Sequence, residues 1–157
     1  FAPQIVAQAL GGRVEPNPTG TELSVVTIQL AAAAQQYFKT DRTDYAIQVH
    51  HNDGVTQLPP GAISLGTSGV TEHLGWMLGQ HILVFSGHPE YSRDPWILER
   101  MMLAERRDRL VPAQLINFGL QTLWNPTDYV WQTQQQLRFF LGQFEVDDSD
   151  QALPIER

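Results

Sequence analysis

Apolar residues recur along the chain with two spacings, one typical of strands and one typical of helices. The runs that predict strands are residues 23–30, 45–50, 62–65, 74–78 and 81–85, and residues 13–15 predict a short extended piece. The runs that predict helices are residues 2–10, 31–38, 112–123 and 130–144. A further helix of about four turns begins at Asp94-Pro95, where a side-chain cap precedes a proline. This mixture of strands and helices predicts an α/β fold.

The last predicted strand, at residues 81–85, is almost continuously apolar, which is typical of a strand buried on both faces. It leads directly into the run Gly87-His88-Pro89-Glu90. The residues from Glu145 onward are acidic and predict a frayed end.

Composition narrows what the chain can bind. With 157 residues, of which 42% are hydrophobic, it suits one domain with a buried core. The net charge of -7 argues against a nucleic-acid partner, and the basic run at residues 106–109 is interleaved with acidic residues as on a solvated helix face. No apolar stretch is long enough for a membrane span, so we expect a soluble, cytoplasmic protein without a membrane partner.

The chain contains no cysteine. Disulfides, thiolate metal sites and a thiol nucleophile within the chain are therefore excluded, which fits a reducing compartment. The chain also begins at Phe1 rather than at a methionine, without a signal-peptide pattern. We therefore expect that an upstream segment has been removed or lies on another polypeptide.

His88 and Glu90 follow the last predicted strand, where reactive groups gather in α/β sheets. An imidazole can take and return a proton near neutral pH, and a carboxylate two residues away can orient the ring. The pair therefore predicts a base with its orienting group. The spacing alone leaves a second interpretation open, in which His88 caps the next helix and Glu90 is solvated.

A longer sequence pattern favours the interpretation of His88 as a base. Residues 84–91, Val-Phe-Ser-Gly-His-Pro-Glu-Tyr, resemble the Gln-Gly-His-Pro-Glu-Phe signature of the class I glutamine amidotransferases, whose catalytic triad is a cysteine, a histidine and a glutamate. Residues 51–55 and 58–62 resemble the His-x-Asp-x-Val and Leu-Pro blocks of that family, and residues 7–12 resemble the end of the helix after its nucleophile elbow. The matches are collinear over roughly residues 1–102, and they are most similar to stand-alone proteins related to γ-glutamyl peptidases.

The resemblance implies a fold, a reaction and a set of site residues. The fold would be the three-layer, flavodoxin-like amidotransferase fold, present as its C-terminal portion at residues 1–111 with a helical C-terminal extension of the same domain at residues 112–157. His88 and Glu90 would be catalytic and would act on glutamine or a γ-glutamyl amide, without a cofactor or a metal. The implied substrate-binding residues are Phe1, Gln4, His50, His51 and Asn52.

Two departures from the family's pattern bear on activity. The family's cysteine would fall immediately before Phe1, so the nucleophile and the early strands would lie outside this chain. We therefore expect an exposed sheet edge and apolar surface, covered by an N-terminal companion segment or by a homo-oligomer. The family's Gly-x-Gln also appears as Ala2-Pro3-Gln4, which places a side chain where glycine permits close approach.

Three other hypotheses stay open. One is a serine nucleophile near His88, for which the candidates are Ser68, Ser86 and Ser92. Another is a non-catalytic module that keeps the amidotransferase fold for binding or assembly, which the lack of cysteine favours. The third is a metal site, although adjacent histidines on a strand point to opposite faces. Its candidate ligands are His50, His51, Asp53, His73, His81 and His88.

Overall fold

The computed structural model of the protein describes residues 2–18 and 20–144. Its strands are β1 (Arg13–Pro16), β2 (Glu22–Leu30), β3 (Asp44–His51), β4 (Asp53–Gln57), β5 (Ile63–Thr67), β6 (Gly75–Leu78) and β7 (Ile82–Phe85). Its helices are α1 (Ala2–Ala9), α2 (Ala32–Phe38), α3 (Pro89–Arg93), α4 (Pro95–Asp108), α5 (Ala113–Thr122) and α6 (Tyr129–Phe140).

Five strands form the main sheet in the order β3-β2-β5-β6-β7, and every neighbouring pair is antiparallel. Strands β1 and β4 form a separate antiparallel ribbon. Because direction alternates across an antiparallel sheet, β3, β5 and β7 run the same way. The carboxyl ends of β3 and β7 therefore lie at the same end of the sheet.

The sheet is strongly curled at this end. The backbone N–H of His88 donates to the carbonyl of Gln48 at 2.8 Å, although His88 follows shortly after β7 and Gln48 lies on β3 at the far side of the strand order. In a flat sheet these outer strands would lie roughly 19 Å apart, at about 4.8 Å per neighbour. The residues from Phe85 to His88 span at most roughly 10 Å of extended chain. The curl therefore brings the residues after β7 against β3.

Helices cover both faces of the sheet. On one face, α2 and α6 pack with Phe38 and Trp131 over a cluster that includes Ile28 and Ile47. On the other face, α4 and α5 enclose a second cluster with Leu23 of β2, and α1 contributes to a third cluster around Trp76. The three-layer α/β prediction is confirmed by this arrangement.

The predicted helices and strands agree with the observed ones, with two additions and two errors. The additions are β4 and the short α3. The prediction that β7 is buried on both faces is wrong, because β7 ends the strand order and all its residues are half-buried. The predicted side-chain cap at Asp94 is also wrong, because Asp94 makes no capping hydrogen bond.

The expectation of an exposed sheet edge fails at β3. The carbonyl of Ala46 accepts the backbone N–H of Asp128 at 2.7 Å, and the N–H of Ala46 donates to the Asp128 carboxylate at 2.9 Å. Together with the His88–Gln48 bond, these contacts cover the outer edge of β3. Within the described residues, no strand pairs with the outer edge of β3, where these contacts lie instead, or with the outer edge of β7.

Exposed apolar side chains are concentrated on the helices. The large ones that are at least half exposed are Ile5, Trp96, Leu110, Phe118, Trp124, Val130, Leu137, Phe140 and Leu141. No helix in residues 2–18 and 20–144 is both long enough and apolar enough to cross a membrane. Helices α5 and α6 pack on the same sheet as the rest of the chain, while the part of the predicted extension beyond residue 144, including the predicted frayed end, lies outside the described residues. The division at residues 111 and 112 stays a prediction.

The backbone conformation and the buried hydroxyl of Ser24 allow a test of this fold. Its φ is 68° within β2, its side chain is fully buried, and its hydroxyl lacks a hydrogen-bond partner among the described residues. A left-handed conformation and a buried unpaired hydroxyl each cost about 1–2 kcal/mol, whereas glycine costs about 0.5–1 kcal/mol of chain entropy. Ser24→Gly should therefore raise the free energy of unfolding in urea by at least about 1 kcal/mol.

Ser64→Gly on β5 is the matched control. Ser64 has no positive φ, and its hydroxyl pairs with His73 Nδ1 at 2.9 Å. This replacement should lower the free energy of unfolding. A decrease for Ser24→Gly as well would show that the strain at Ser24 does not exist.

Candidate active site

His88 and Glu90 form a hydrogen-bonded pair at the start of α3. Nδ1 of His88 lies 2.7 Å from Oε1 of Glu90. A carboxylate only accepts hydrogen bonds, so this contact places the proton of the neutral ring on Nδ1. Nε2 is then the ring's proton acceptor, and it makes no hydrogen bond within the described residues. The His88 side chain is 28% exposed and that of Glu90 is 58% exposed, so a reacting group can reach the ring.

The backbone around His88 is fixed by neighbours on two sides. Its N–H bonds to Gln48 on β3, as described above, and the carbonyl of Gly87 accepts from Gln132 Nε2 at 3.2 Å. Gly87 is also buried, and a Cβ there would lie 2.7 Å from both Gln132 Oε1 and Ile47 Cγ1. The sequence therefore needs glycine before the histidine so that the chain can pass between β3 and α6.

The ring of Tyr91 packs against one face of the His88 ring. The two rings stack with centroids 4.6 Å apart and an angle of 22° between their planes. Tyr91 packs against the buried cluster under α4, and its hydroxyl contacts Met101 Sδ at 3.7 Å. Burial, helped by the charge of Glu90, raises the pKa of Tyr91, which keeps the phenol neutral beside the histidine. The ring of His88 is thus held between its carboxylate and an apolar support.

A cleft of about 650 Å³ lies at the end of β3, and we call it the β3 cleft. It is lined by residues of α1, by Val14 and by the end of β3. The lining residues are Gln4, Ile5, Gln8, Val14, His50, His51, Asn52 and Asp53. His50 lies two residues along β3 from Gln48, which is about 7 Å of strand. Strand β3 therefore both borders the cleft and binds the backbone of His88.

Hydrogen bonds connect α1 with the turn between β3 and β4. Gln4 Nε2 donates to the Asp53 carbonyl at 3.0 Å, and Nδ1 of His51 faces the same carbonyl at 3.1 Å. Nε2 of His51 lies 3.0 Å from the buried carboxylate of Glu22, which also accepts from Thr71 at 2.8 Å. Glu22 and His51 thus hold the turn between β3 and β4 in place.

Glu22 carries its charge in this buried position. Burial acts to raise its pKa, but hydrogen bonds from His51, Ser68 and Thr71, together with the charge of His51, outweigh that effect and leave the pKa below its ordinary value. The carboxylate is therefore available as a permanent acceptor under the turn.

A second histidine–carboxylate pair lies on the other face of β3. Nε2 of His50 is 2.9 Å from Oε1 of Glu105 on α4, and the two side chains are 13% and 20% exposed. His50 and His51 therefore point to opposite faces, as adjacent residues on a strand do. Their separate carboxylate partners explain why two neighbouring histidines are both accommodated near the end of β3.

The structure brings together four of the predicted substrate-binding residues, because Gln4, His50, His51 and Asn52 all line the β3 cleft. Phe1 lies outside the described residues. His88 and Glu90 are paired but do not line the cleft themselves.

Sequence reasoning missed Glu22, Glu105, Gln48 and Tyr91. The sequence pattern could have identified Glu105, because it falls on the buried stripe of α4 with Leu98 and Met102, where a carboxylate needs a partner. The pattern gave a weaker indication for Glu22, since it is the first residue of a strand whose first residues are buried. The tertiary contacts of Gln48 and Tyr91 left no signal in the local pattern.

The metal and serine hypotheses gain no support. The described residues hold no group of three His, Cys, Asp or Glu side chains that could bind a metal ion. His73 pairs with Ser64, and its pKa is lowered by burial, partly offset by the charge of Glu72. In the described ranges, none of Ser68, Ser86 and Ser92 is hydrogen-bonded to His88, and the Ser68 hydroxyl is occupied by the backbone N–H groups of Val70 and Thr71.

Comparisons with known proteins identify the fold and the family. No protein-family model matches the chain. A glutamine amidotransferase-like protein of Schizosaccharomyces pombe is 30% identical over 128 residues, which are 82% of this chain and 50% of that protein. The crystal structure of a glutamine amido transferase from Methylobacillus flagellatus matches with a TM-score of 0.66 over 96% of this chain and 64% of that chain, at 19% identity.

The chain is a class I glutamine amidotransferase-like domain. The predicted amidotransferase-type fold is thereby confirmed. Gamma-glutamyl peptidase 4 of Arabidopsis thaliana is also similar, with 32% identity over 98 residues, 60% of this chain and 39% of that protein. The amidotransferase-like domain spans about half or less of the length of the curated relatives it matches, from 37% to 50%.

Gly87 provides a test of how this amidotransferase-like domain positions His88. Gly87→Ala places a methyl group against Ile47 and Gln132, and overpacking of this kind costs about 1–3 kcal/mol. We expect the free energy of unfolding in urea to fall by that amount. Gly69→Ala is the control, because a Cβ at Gly69 meets no atom within 4 Å. Equal stability of the two variants would contradict the close approach of Gly87 to β3.

Proposed function

We propose that this amidotransferase-like domain takes part in the hydrolysis of glutamine or γ-glutamyl amides through a Cys-His-Glu triad. His88 and Glu90 are two of its members, and the cysteine comes from a segment that precedes Phe1 in the complete protein. The observation that carries the proposal is the 2.7 Å contact between His88 Nδ1 and Glu90 Oε1, which leaves Nε2 as the proton acceptor of a side chain that is 28% exposed. The names of the relatives support the same class of substrate.

In the first half-reaction, Nε2 of His88 takes the thiol proton and the thiolate attacks the γ-carbonyl carbon. A carbon–sulfur bond forms and the carbonyl oxygen becomes an oxyanion. The C–N bond then breaks while His88 returns the proton to the leaving nitrogen, which departs as ammonia or an amine. Glu90 holds Nδ1–H throughout and stabilises the positive charge that the ring carries between the two transfers.

In the second half-reaction, water replaces the thiol. His88 Nε2 removes a proton from the water, the hydroxyl oxygen attacks the thioester carbon, and the carbon–sulfur bond breaks. The sulfur recovers the proton from His88. The products are a γ-carboxylate, glutamate in the case of glutamine, and the regenerated cysteine.

The β3 cleft suits the amino-acid end of such a substrate. Gln4 Oε1 is buried without a hydrogen-bond partner in the described part of the chain, so it offers an acceptor for an ammonium group. The side chains of Asn52 and Asp53 are exposed at the same cleft. Because α1 directly follows the proposed position of the cysteine, the held amino-acid end and the nucleophile would meet at the start of that helix.

A non-catalytic role remains the second candidate, because the sequence contains no cysteine and carries Ala2-Pro3 where the family has glycine. Such a module would bind a γ-glutamyl compound in the β3 cleft without turning it over. The two candidates differ in one measurable property, which is dependence on a thiol.

Replacement of the proposed base separates the two candidates. In the complete natural protein, His88→Ala should lower the rate of γ-glutamyl hydrolysis at least about a hundredfold, because general base catalysis is lost. His81→Ala is the matched control, since His81 is exposed in the turn before β7 and should leave the rate unchanged. Release of glutamate from glutamine and from a γ-glutamyl dipeptide is the measurement.

The dependence of hydrolysis on the proposed cysteine can be measured on the same preparation of the complete protein. The intact mass of the natural protein shows whether a longer, cysteine-bearing chain exists, and a cysteine-directed alkylator should abolish its hydrolysis. Full activity after alkylation, or in His88→Ala, would rule out the proposed triad.

A further inference from the structure

A second cleft, of about 360 Å³, lies between the α3–α4 junction and the loop of residues 123–127. We call it the amine-side cleft. Its lining includes Gln48 of β3, Ser92 and Arg93 at the end of α3, Trp124 and Asn125 of the loop, and Tyr129 of α6. None of these residues lines the β3 cleft.

Two buried polar atoms of this lining have no hydrogen-bond partner among the residues that the structure describes. Gln48 is 1% exposed and its Nε2 donates to the Leu123 carbonyl at 2.8 Å, but its Oε1 makes no hydrogen bond within the described ranges. The hydroxyl of Ser92 is likewise buried without a partner there. A buried unpaired acceptor costs about 1–3 kcal/mol, so a donor bound in the cleft would recover that energy. The wall therefore favours a ligand that brings an N–H group.

The rim of the amine-side cleft adds charge and aromatic surface. Arg93 is exposed and forms no salt bridge with any described residue. Trp124 is 55% exposed and meets Trp96 edge-to-face, with centroids 5.0 Å apart. A guanidinium binds carboxylates, and an exposed indole binds apolar or aromatic groups. A ligand with both groups fits this rim.

The amine-side cleft lies next to His88. The carbonyl of Gln48 holds the backbone of His88, while the side chain of Gln48 lines the cleft. The ring of His88 stacks on Tyr91, which packs in the same cluster as Leu123, another residue of the cleft wall. Ser92, another residue of the cleft wall, is four positions after His88 and therefore lies on the same side of α3, about 6 Å further along the helix axis. A group attached to the nitrogen that His88 protonates would therefore extend towards this cleft.

We infer that the amine-side cleft binds the residue on the nitrogen side of a γ-glutamyl peptide. That residue is an α-amino acid with an apolar or aromatic side chain and a free carboxylate. Arg93 pairs with the carboxylate, Trp124 contacts the side chain, and Gln48 Oε1 or the Ser92 hydroxyl accepts the N–H. The inference rests on the proposed function for its orientation, and it adds to that function a binding site for the residue on the nitrogen side of the substrate.

The test is a binding measurement that needs no catalysis. N-acetyl-L-phenylalanine serves as the probe, because its acetyl group stands in for the γ-glutamyl carbonyl. Titration into the ¹⁵N-labelled chain should give saturable shifts of the Trp124 indole and Gln48 amide signals. N-acetyl-L-phenylalanine amide, which lacks the carboxylate, should bind roughly tenfold more weakly, as should the probe to Arg93→Gln.

Arg100→Gln is the matched control, because Arg100 is exposed on the neighbouring helix α4 and does not line the cleft. This variant should bind the probe like the unchanged chain. Absence of saturable shifts, equal binding of the acid and the amide, or equal binding by Arg93→Gln would each overturn the inference. These outcomes are independent of the thiol test: if the probe binds as expected while His88→Ala retains activity, the proposed triad fails and the amino-acid site stands.

Discussion

The candidate site depends on one close approach, in which the chain after β7 is bound against β3. The His88 N–H donates to the Gln48 carbonyl at 2.8 Å, and Gly87 passes between Ile47 and Gln132 with no room for a Cβ. This contact closes the curled sheet, covers the outer edge of β3 and fixes where α3 begins. Because α3 starts at that point, Glu90 can reach back to Nδ1 of His88 at 2.7 Å.

Strand β3 organises the polar groups around this contact by its alternation. Gln48 and His50 face α4 and the loop after α5, where they meet the Leu123 carbonyl and Glu105. His51 faces the other way and pairs with Glu22. The same strand therefore anchors the proposed base, borders the β3 cleft and supplies the wall of the amine-side cleft. One short strand thus sets the relative positions of base and substrate groups in the proposed reaction.

The sequence predicts the parts of this arrangement that depend on local pattern. Alternation marks β2, and the Gly-His-Pro-Glu run marks the histidine–carboxylate pair. The curl of the sheet was not predictable, because it depends on a backbone contact between Gln48 and His88, which are far apart in the chain. Strand β4 was missed because its polar residues pair with β1 at the surface. The apolar run of β7 suggested full burial, yet its place at the end of the strand order leaves it half-buried.

In the proposed site, Glu90 fixes the ring of His88 with its proton on Nδ1 and leaves Nε2 free to accept one. The most direct measurement is the pair of imidazole ¹⁵N chemical shifts of His88 in the neutral ring, assigned by long-range ¹H–¹⁵N correlation. We expect a protonated Nδ1 and an unprotonated Nε2, and we expect Glu90→Gln to weaken this preference. A ring that carries its proton on Nε2 in the unchanged protein would show that Glu90 does not orient His88.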